Sequence, residues 1–247
     1  CNLSEKNKKI FEKYYPKADG YIFQTEDAKK YYKEHGISVE NSVVIPNAIN
    51  PEFIRPLYQG ERRKVIVGAG RLTIQKNFSL LINAFAEICN DFPEYKLEIY
   101  GEGPLKESLI NETKSLGIRE KVIFKGYVNN LGNCIQDASL FVLSSDFEGM
   151  PNALMEAMAL GLPVISTDCP AGGSKFLIQD NENGLLVSVG DRKMLTEKMK
   201  YLIENERIAT KIGKMATRIS SDLNTKKIYG KWEKYITKIV KYDGEKE

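Results

Sequence analysis

The chain has 247 residues, 42% hydrophobic, 28% charged and 10% aromatic, with a formal net charge of +3. That apolar content suits one or two domains with a real core and excludes a wholly disordered chain, while lysines scattered among glutamates read as solvated helix faces, with no nucleic acid expected as a partner. Four cysteines without CxxC spacing argue against a zinc site and for free thiols in a reducing compartment, and no apolar run approaches the roughly 20 residues of a membrane span.

The first residue is Cys1, not methionine, and no signal peptide is visible, so the sequence is expected to be a fragment of something longer. Short β-rich runs follow at Tyr21–Gln24, Val43–Pro46, Lys64–Gly70, Lys96–Gly101, Lys121–Gly126, Leu140–Ser144, Pro163–Ser166 and Gly184–Val187. Several are almost continuously apolar, as in strands covered on both faces of a parallel sheet. Helical periodicity occupies 77–90, 104–116, 152–160 and 191–204. Regular strand–helix alternation predicts an α/β fold with a doubly wound parallel, Rossmann-like sheet. From about Asn205 the strands stop and helices continue to about Tyr242, with Trp232 and Tyr235 expected on one face.

The stretch "PNAINPEFIRPLYQGER" (Pro46–Arg62) carries three prolines in its first eleven residues and reads as an extended linker. A boundary near Leu57 divides the chain into 1–57, the end of a preceding domain, and 58–247, the main domain. The only histidine, His35, lies before this linker and is expected at the surface.

In open α/β sheets ligands bind beyond the carboxyl ends of the strands, so the loops there are the candidates. "GAGRLTIQKN" offers Gly68 and Gly70 for a close backbone approach, with Arg71 and Lys76 as cations for a diphosphate. It is neither a dinucleotide fingerprint, since the third glycine is replaced by Thr73, nor a P-loop. "GEGPLKESL" places Gly101 and Gly103 around an acid before a helix, and "KGYVNNL" ends a strand with Tyr127 and Val128 beside it. Simple turn chemistry would explain each of these alone. In "SSDFEGMPNALMEAMALGLPVIST", Pro151 suits a first helical turn, with backbone N–H groups near Met150–Asn152 facing the same crevice. Glu148 stands just before that turn and Glu156 inside the helix, where a carboxylate among apolar neighbours is costly unless hydrogen-bonded.

"VVIPNAINPEF", "GRLTIQKN", "GEGP", "GYV", "SDFEGMPNALMEAMALGLPVIST", "DCPAGG" and "NGLLV" follow one another as in retaining glycosyltransferases of family 4, which the chain resembles over residues 19–220. The resemblance implies the C-terminal, donor-binding half of a GT-B enzyme, with 1–57 as the end of the acceptor-side half. Arg71 and Lys76 would neutralise the donor diphosphate, and Glu156 would hold the ribose hydroxyls. Glu148 would sit beside the transferred sugar as a positioning carboxylate. Backbone N–H groups of Gly149, Met150, Pro151 and Asn152 would be near sugar or phosphate, except that proline has none to give. Tyr127 and Val128 would flank the base.

The family needs no metal and no cofactor beyond the nucleotide sugar, here expected to be UDP-linked, and transfers to a glycan or lipid-linked acceptor in polysaccharide biosynthesis. A cytoplasmic location, or one at the inner membrane face with peripheral association, goes with that reading. Lys175 departs from the pattern, standing where an acid is common. The rival readings are a sugar-nucleotide epimerase, a phosphorylase, whose pyridoxal-bearing lysine motif is not found, and a non-catalytic nucleotide-binding module.

Overall fold

The structure, a computed structural model, describes residues 5–244; Cys1 lies outside them. In chain order the elements are α1 (Glu5–Tyr14), β1 (Tyr21–Phe23), α2 (Glu26–Glu34), β2 (Ser42–Val44), β3 (Arg63–Ala69), α3 (Phe78–Ile88), β4 (Lys96–Tyr100) and α4 (Lys106–Ser115). There follow β5 (Val122–Gly126), α5 (Leu131–Ile135), β6 (Ala138–Leu143), α6 (Asn152–Ala159), β7 (Val164–Thr167), α7 (Gly173–Leu177) and β8 (Leu185–Val187). The chain ends with α8 (Arg192–Glu204), α9 (Glu206–Ala216), α10 (Ile219–Asp222) and α11 (Thr225–Gly244). All eight predicted strands are present within a few residues. The short helices α5 and α7, five residues each, carry too little periodicity to be seen in sequence.

β3 to β8 form one parallel sheet in the order β5-β4-β3-β6-β7-β8. The chain winds outward from β3 to β5, returns to the centre, and winds outward again from β6. Loops leaving β3 and β6 therefore diverge to opposite faces and open a crevice beyond their carboxyl ends. The central strands are covered on both faces. Val65 and Val67 of β3, with Phe141 of β6, pack against α6, while Ile66 and Leu140 pack against α3 and α8. Burying a side chain of this size contributes about 1.5–3 kcal/mol.

β1 and β2 form their own parallel pair. In the proline-rich stretch after them, Pro46–Arg62, a short 3-10 turn spans Pro51–Phe53, and Ile49 and Phe53 are buried beside Ile45 in the same core as α6. The prolines limit its backbone, but its apolar side chains place it against the domain. Ile49 N–H donates to Leu223 O at 2.8 Å, and Tyr235 of α11 donates its hydroxyl to Asn41 O at 2.6 Å. α11 thus returns to the first strands. Its Trp232 is 39% exposed, so it does not share the packed position of Tyr235. His35 ends α2 at the surface, stacked on Tyr31. Cys89, Cys134 and Cys169 are free thiols.

Three loops at the carboxyl end interlock by backbone. Gly70 N–H donates to Tyr100 O and Gly101 N–H to Gly126 O, while Leu72 N–H meets Glu102 O and Leu105 N–H meets Leu72 O. A Cβ on Gly101 would overlap the Gly70 carbonyl, and one on Gly103 the backbone of Leu72. Gly101 also has φ +132, which disfavours a side chain. Gly101→Ala should therefore cost about 3 kcal/mol or more in urea unfolding. Gly117→Ala shares a positive φ but meets nothing within 4 Å, and should cost only about 1 kcal/mol. Equal losses would show that strain alone, not interlocking, sets the requirement.

Candidate active site

The β3 loop turns through Gly70, whose open face is covered by the aliphatic stem of Lys76, into a 3-10 turn at Ile74–Lys76. Asn77 follows in the left-handed region (φ 43, ψ 50), a conformation that asparagine tolerates well. Its side chain works at both ends. The carbonyl accepts Leu80 N–H as the N-cap of α3, and the amide donates to Asp146 Oδ1 at 2.7 Å.

The β6 loop meets this turn across the switch point. Asp146 N–H donates to Gln75 O at 2.8 Å, Gln75 Nε2 to Phe147 O at 2.9 Å, and Ser144 Oγ to Lys76 O at 3.0 Å. Glu148, only 6% exposed, accepts on one oxygen from Lys76 Nζ at 2.5 Å and from Ser145 Oγ at 2.6 Å. Its other oxygen takes no bond from the described residues. Thr167 at the end of β7 supports Ser145 by donating to its carbonyl at 2.5 Å. Lys76, the ammonium expected on a diphosphate, is in the fold the counter-ion of the buried Glu148 carboxylate, a contact the sequence did not show. Arg71 is exposed and pairs with no described acid.

α6 begins at Asn152 with Pro151 as its N-cap residue, no side-chain cap and no acid in its first turn. Its N-terminal N–H groups are free to meet an anion. Glu156, one helical turn further, is half-buried, and burial alone raises its carboxyl to about 7. Met150 is buried in the core, so only its backbone can serve the crevice; Gly149 and Asn152 are exposed. Tyr127 is 75% exposed, and Val128 beside it packs partly on the core. Gly101 and Gly103 are committed to the loop interlock, and the N–H of Gly101 is spent on Gly126. Lys175 is exposed on α7. No group of three or more His, Cys, Asp or Glu among the described residues is placed to hold a metal ion.

Several contributors escaped sequence reading. Ser145, Thr167 and Asn77 support the two charged groups from beside or behind the motif. Gln24, Thr25 and Asn47 reach the β6 and β7 loops from more than a hundred residues away. Only Thr25 left a signal, as the N-cap of an acidic helix start, "TED".

A parallel sheet in this order, with cations and carboxylates gathered at its switch point, is a Rossmann-like domain of the kind found in GT-B glycosyltransferases, with a helical C-terminal end. The sequence profile described as "Glycosyl transferases group 1" matches residues 50–219, and the chain belongs to that family. An uncharacterized glycosyltransferase of Methanocaldococcus jannaschii is 28% identical over 92% of this chain and 65% of its own length. The Campylobacter jejuni N-acetylgalactosamine-N,N'-diacetylbacillosaminyl-diphospho-undecaprenol 4-alpha-N-acetylgalactosaminyltransferase is 32% identical over 82% of this chain and 55% of its own length. A mutant of Staphylococcus aureus TarM, solved with Fondaparinux, alpha-GlcNAc-glycerol and UDP, superposes with a TM-score of 0.84 at 26% identity, covering 95% of this chain and 48% of TarM. The chain thus spans about half to two thirds of the length of these proteins.

Glu156 yields a test independent of ligand. Its folded value of about 7 lies above the ordinary 4.5, so the protonated form favours the fold. That contribution is complete below pH 4.5 and is lost as pH rises through 7. Glu156→Gln should match the parent near pH 4.5 and exceed it by roughly 1–2 kcal/mol near pH 8, after discounting for partial exposure. Urea unfolding at both pH values reads this, and a gap that does not grow with pH would mean the carboxylate is well solvated.

Proposed function

We propose that this chain is the donor-binding part of a retaining glycosyltransferase of family 4. It moves a hexose or N-acetylhexosamine from a UDP-sugar to a glycan or lipid-linked acceptor in polysaccharide biosynthesis. Residues 58–247 form the donor domain, and 1–57 end the acceptor-side half. The observation that carries this reading is the meeting of Lys76, Glu148 and the uncapped start of α6 at the switch point, with unpaired Arg71 on the same loop as Lys76.

The chemistry follows from charge. Breaking the bond between the anomeric carbon and the diphosphate leaves negative charge on the diphosphate and positive charge on the sugar ring. Arg71, Lys76 and the first N–H groups of α6 stabilise the first. The free oxygen of Glu148 accepts a sugar hydroxyl and stands near the second. Glu156 accepts the ribose diol, two donors for a half-buried carboxylate that takes no hydrogen bond from the described residues. Tyr127 and Val128 flank the base. The acceptor hydroxyl then attacks on the face the diphosphate leaves and passes its proton to the departing diphosphate oxygen, which retains configuration. With two cations on the diphosphate, the reading calls for no metal.

The C. jejuni relative is named for an undecaprenol-linked acceptor, and the TarM structure holds UDP; both support this reading. A lipid-linked acceptor also favours peripheral association at the cytoplasmic membrane face. No described helix is long and apolar enough to cross a membrane.

Calorimetric titration with UDP, GDP and ADP tests the proposal. UDP should bind best. Arg71→Ala breaks no contact in the fold and should weaken UDP roughly tenfold or more, as expected for a charged hydrogen bond. Adding Lys76→Ala should abolish measurable binding. Failure of all three nucleotides to bind, or an affinity indifferent to Arg71, would sink the reading.

A further inference from the structure

The segment before the linker reaches the candidate site by side chains. Gln24 Nε2 donates to Asn47 Oδ1 at 2.8 Å, and Asn47 Nδ2 donates to Asn152 Oδ1 at 2.8 Å. A Cβ on Gly149 would stand 2.8 Å from Gln24 Oε1, so the end of the Gln24 side chain lies against the β6 loop. Next to this relay Thr25, 2% exposed, donates to Ala171 O at 2.5 Å. Ala171 and Gly172 both have left-handed backbones, φ 71 and 72, a state that alanine holds only under constraint. The loop so held accepts Glu148 N–H on Pro170 O at 3.3 Å.

A primary amide has one acceptor oxygen and one donor nitrogen. In the relay each nitrogen occupies the next oxygen, so the three amides share one polarity. The oxygen of Asn152 is taken, and its Nδ2 bonds to no described residue. Asn152 is exposed and is the first residue of α6, four positions after Glu148 on the same loop. Such an arrangement presents a neutral N–H donor of fixed direction, without a matching acceptor. Phosphate is already served by Arg71 and Lys76 from the β3 loop. What remains on the β6 loop, beside a carboxylate that takes hydroxyl donors, is a place for an acceptor oxygen.

We propose that Asn152 recognises an acceptor oxygen of the transferred sugar, a hydroxyl or the carbonyl of an acylamino group, and that Gln24 and Asn47 are positioning residues that keep its amide nitrogen outward. This rests on the donor-site reading above and adds to it a specificity determinant built from two parts of the chain. Asn152 reads the sugar, and residues ahead of the linker decide which way it faces.

The test compares UDP with UDP-glucose, UDP-N-acetylglucosamine and UDP-N-acetylgalactosamine by calorimetry. Asn47→Asp is nearly isosteric and still accepts from Gln24, but it cannot donate to Asn152 and repels its oxygen. The affinity for UDP should change less than twofold, while the best-bound UDP-sugar should weaken roughly three- to tenfold, as for loss of one neutral hydrogen bond. Gln24→Ala, which frees the relay without adding charge, should act in the same direction more weakly, with the thermal midpoint of each variant measured alongside. Equal weakening of UDP and UDP-sugar would show that the relay only supports the fold and would overturn the proposal. So would affinities unchanged in both variants. A parent chain that binds no UDP refutes the donor site itself, an outcome distinct from either.

Discussion

Glu148 puts a carboxylate where the sheet divides, almost out of reach of water, and a charge in that position needs a partner. An unpaired ion there would cost several kcal/mol, and removing one member of a buried pair typically costs 3–5 kcal/mol. The partner comes from the other side of the switch point: Lys76, at the end of the β3 loop, lies 2.5 Å away. Neighbouring contacts follow from bringing these two groups together. Ser145 shares the same oxygen, Thr167 steadies Ser145, and Ser144 holds the backbone of Lys76. The Asn77–Asp146 and Gln75–Phe147 bonds close the seam. Two loops that leave the sheet toward opposite faces are thereby fixed to one another before any ligand arrives. Fixed dipoles and charges of this kind need little reorganisation when a charged group enters.

The same end of the sheet is stiffened a second way. Where the Lys76–Glu148 seam joins β3 to β6 through side chains, the β3, β4 and β5 loops are joined through backbone alone. Hydrogen bonds from Gly70 to Tyr100, Leu72 to Glu102 and Gly101 to Gly126 continue the sheet's pairing beyond its last regular residues. Backbones can approach so closely only where side chains are missing, which accounts for Gly101 and Gly103. These glycines shape the crevice wall by packing loop on loop. The ligand approach inferred for them from sequence is not needed to explain why they are glycine.

Much of this was legible in the residues. The strands read correctly because burial on both faces forces nearly continuous apolar runs, and few other elements have that signature at such short length. Arg71, Lys76, Glu148 and Glu156 could be singled out because charges at strand ends and inside apolar helices are conspicuous. In the linker, Pro46, Pro51 and Pro56 signal an irregular path, while Ile49 and Phe53 decide where it lies, and a local pattern cannot show what they pack against. The amide relay was invisible for a related reason. Gln24, Asn47 and Asn152 are ordinary polar residues in ordinary loops, and their meaning comes only from the fold that gathers them. Charge stands out in a sequence, whereas pairing does not.

The two glutamates of the motif differ in a way that spacing alone could not reveal. Glu148 enters the folded state already paired with a cation and a hydroxyl on one oxygen, its second oxygen uncommitted. Glu156 takes no hydrogen bond from the described residues, and burial raises it to about 7. The first carboxylate is organised by the protein and presents a fixed acceptor oxygen. The second carries a desolvation cost that a hydrogen-bond donor or a cation brought beside it would offset. Occupying that second site would favour ionised Glu156 and draw its titration back toward the ordinary carboxylate range. A proton would therefore leave as the ligand binds, coupling affinity to pH near neutrality through Glu156.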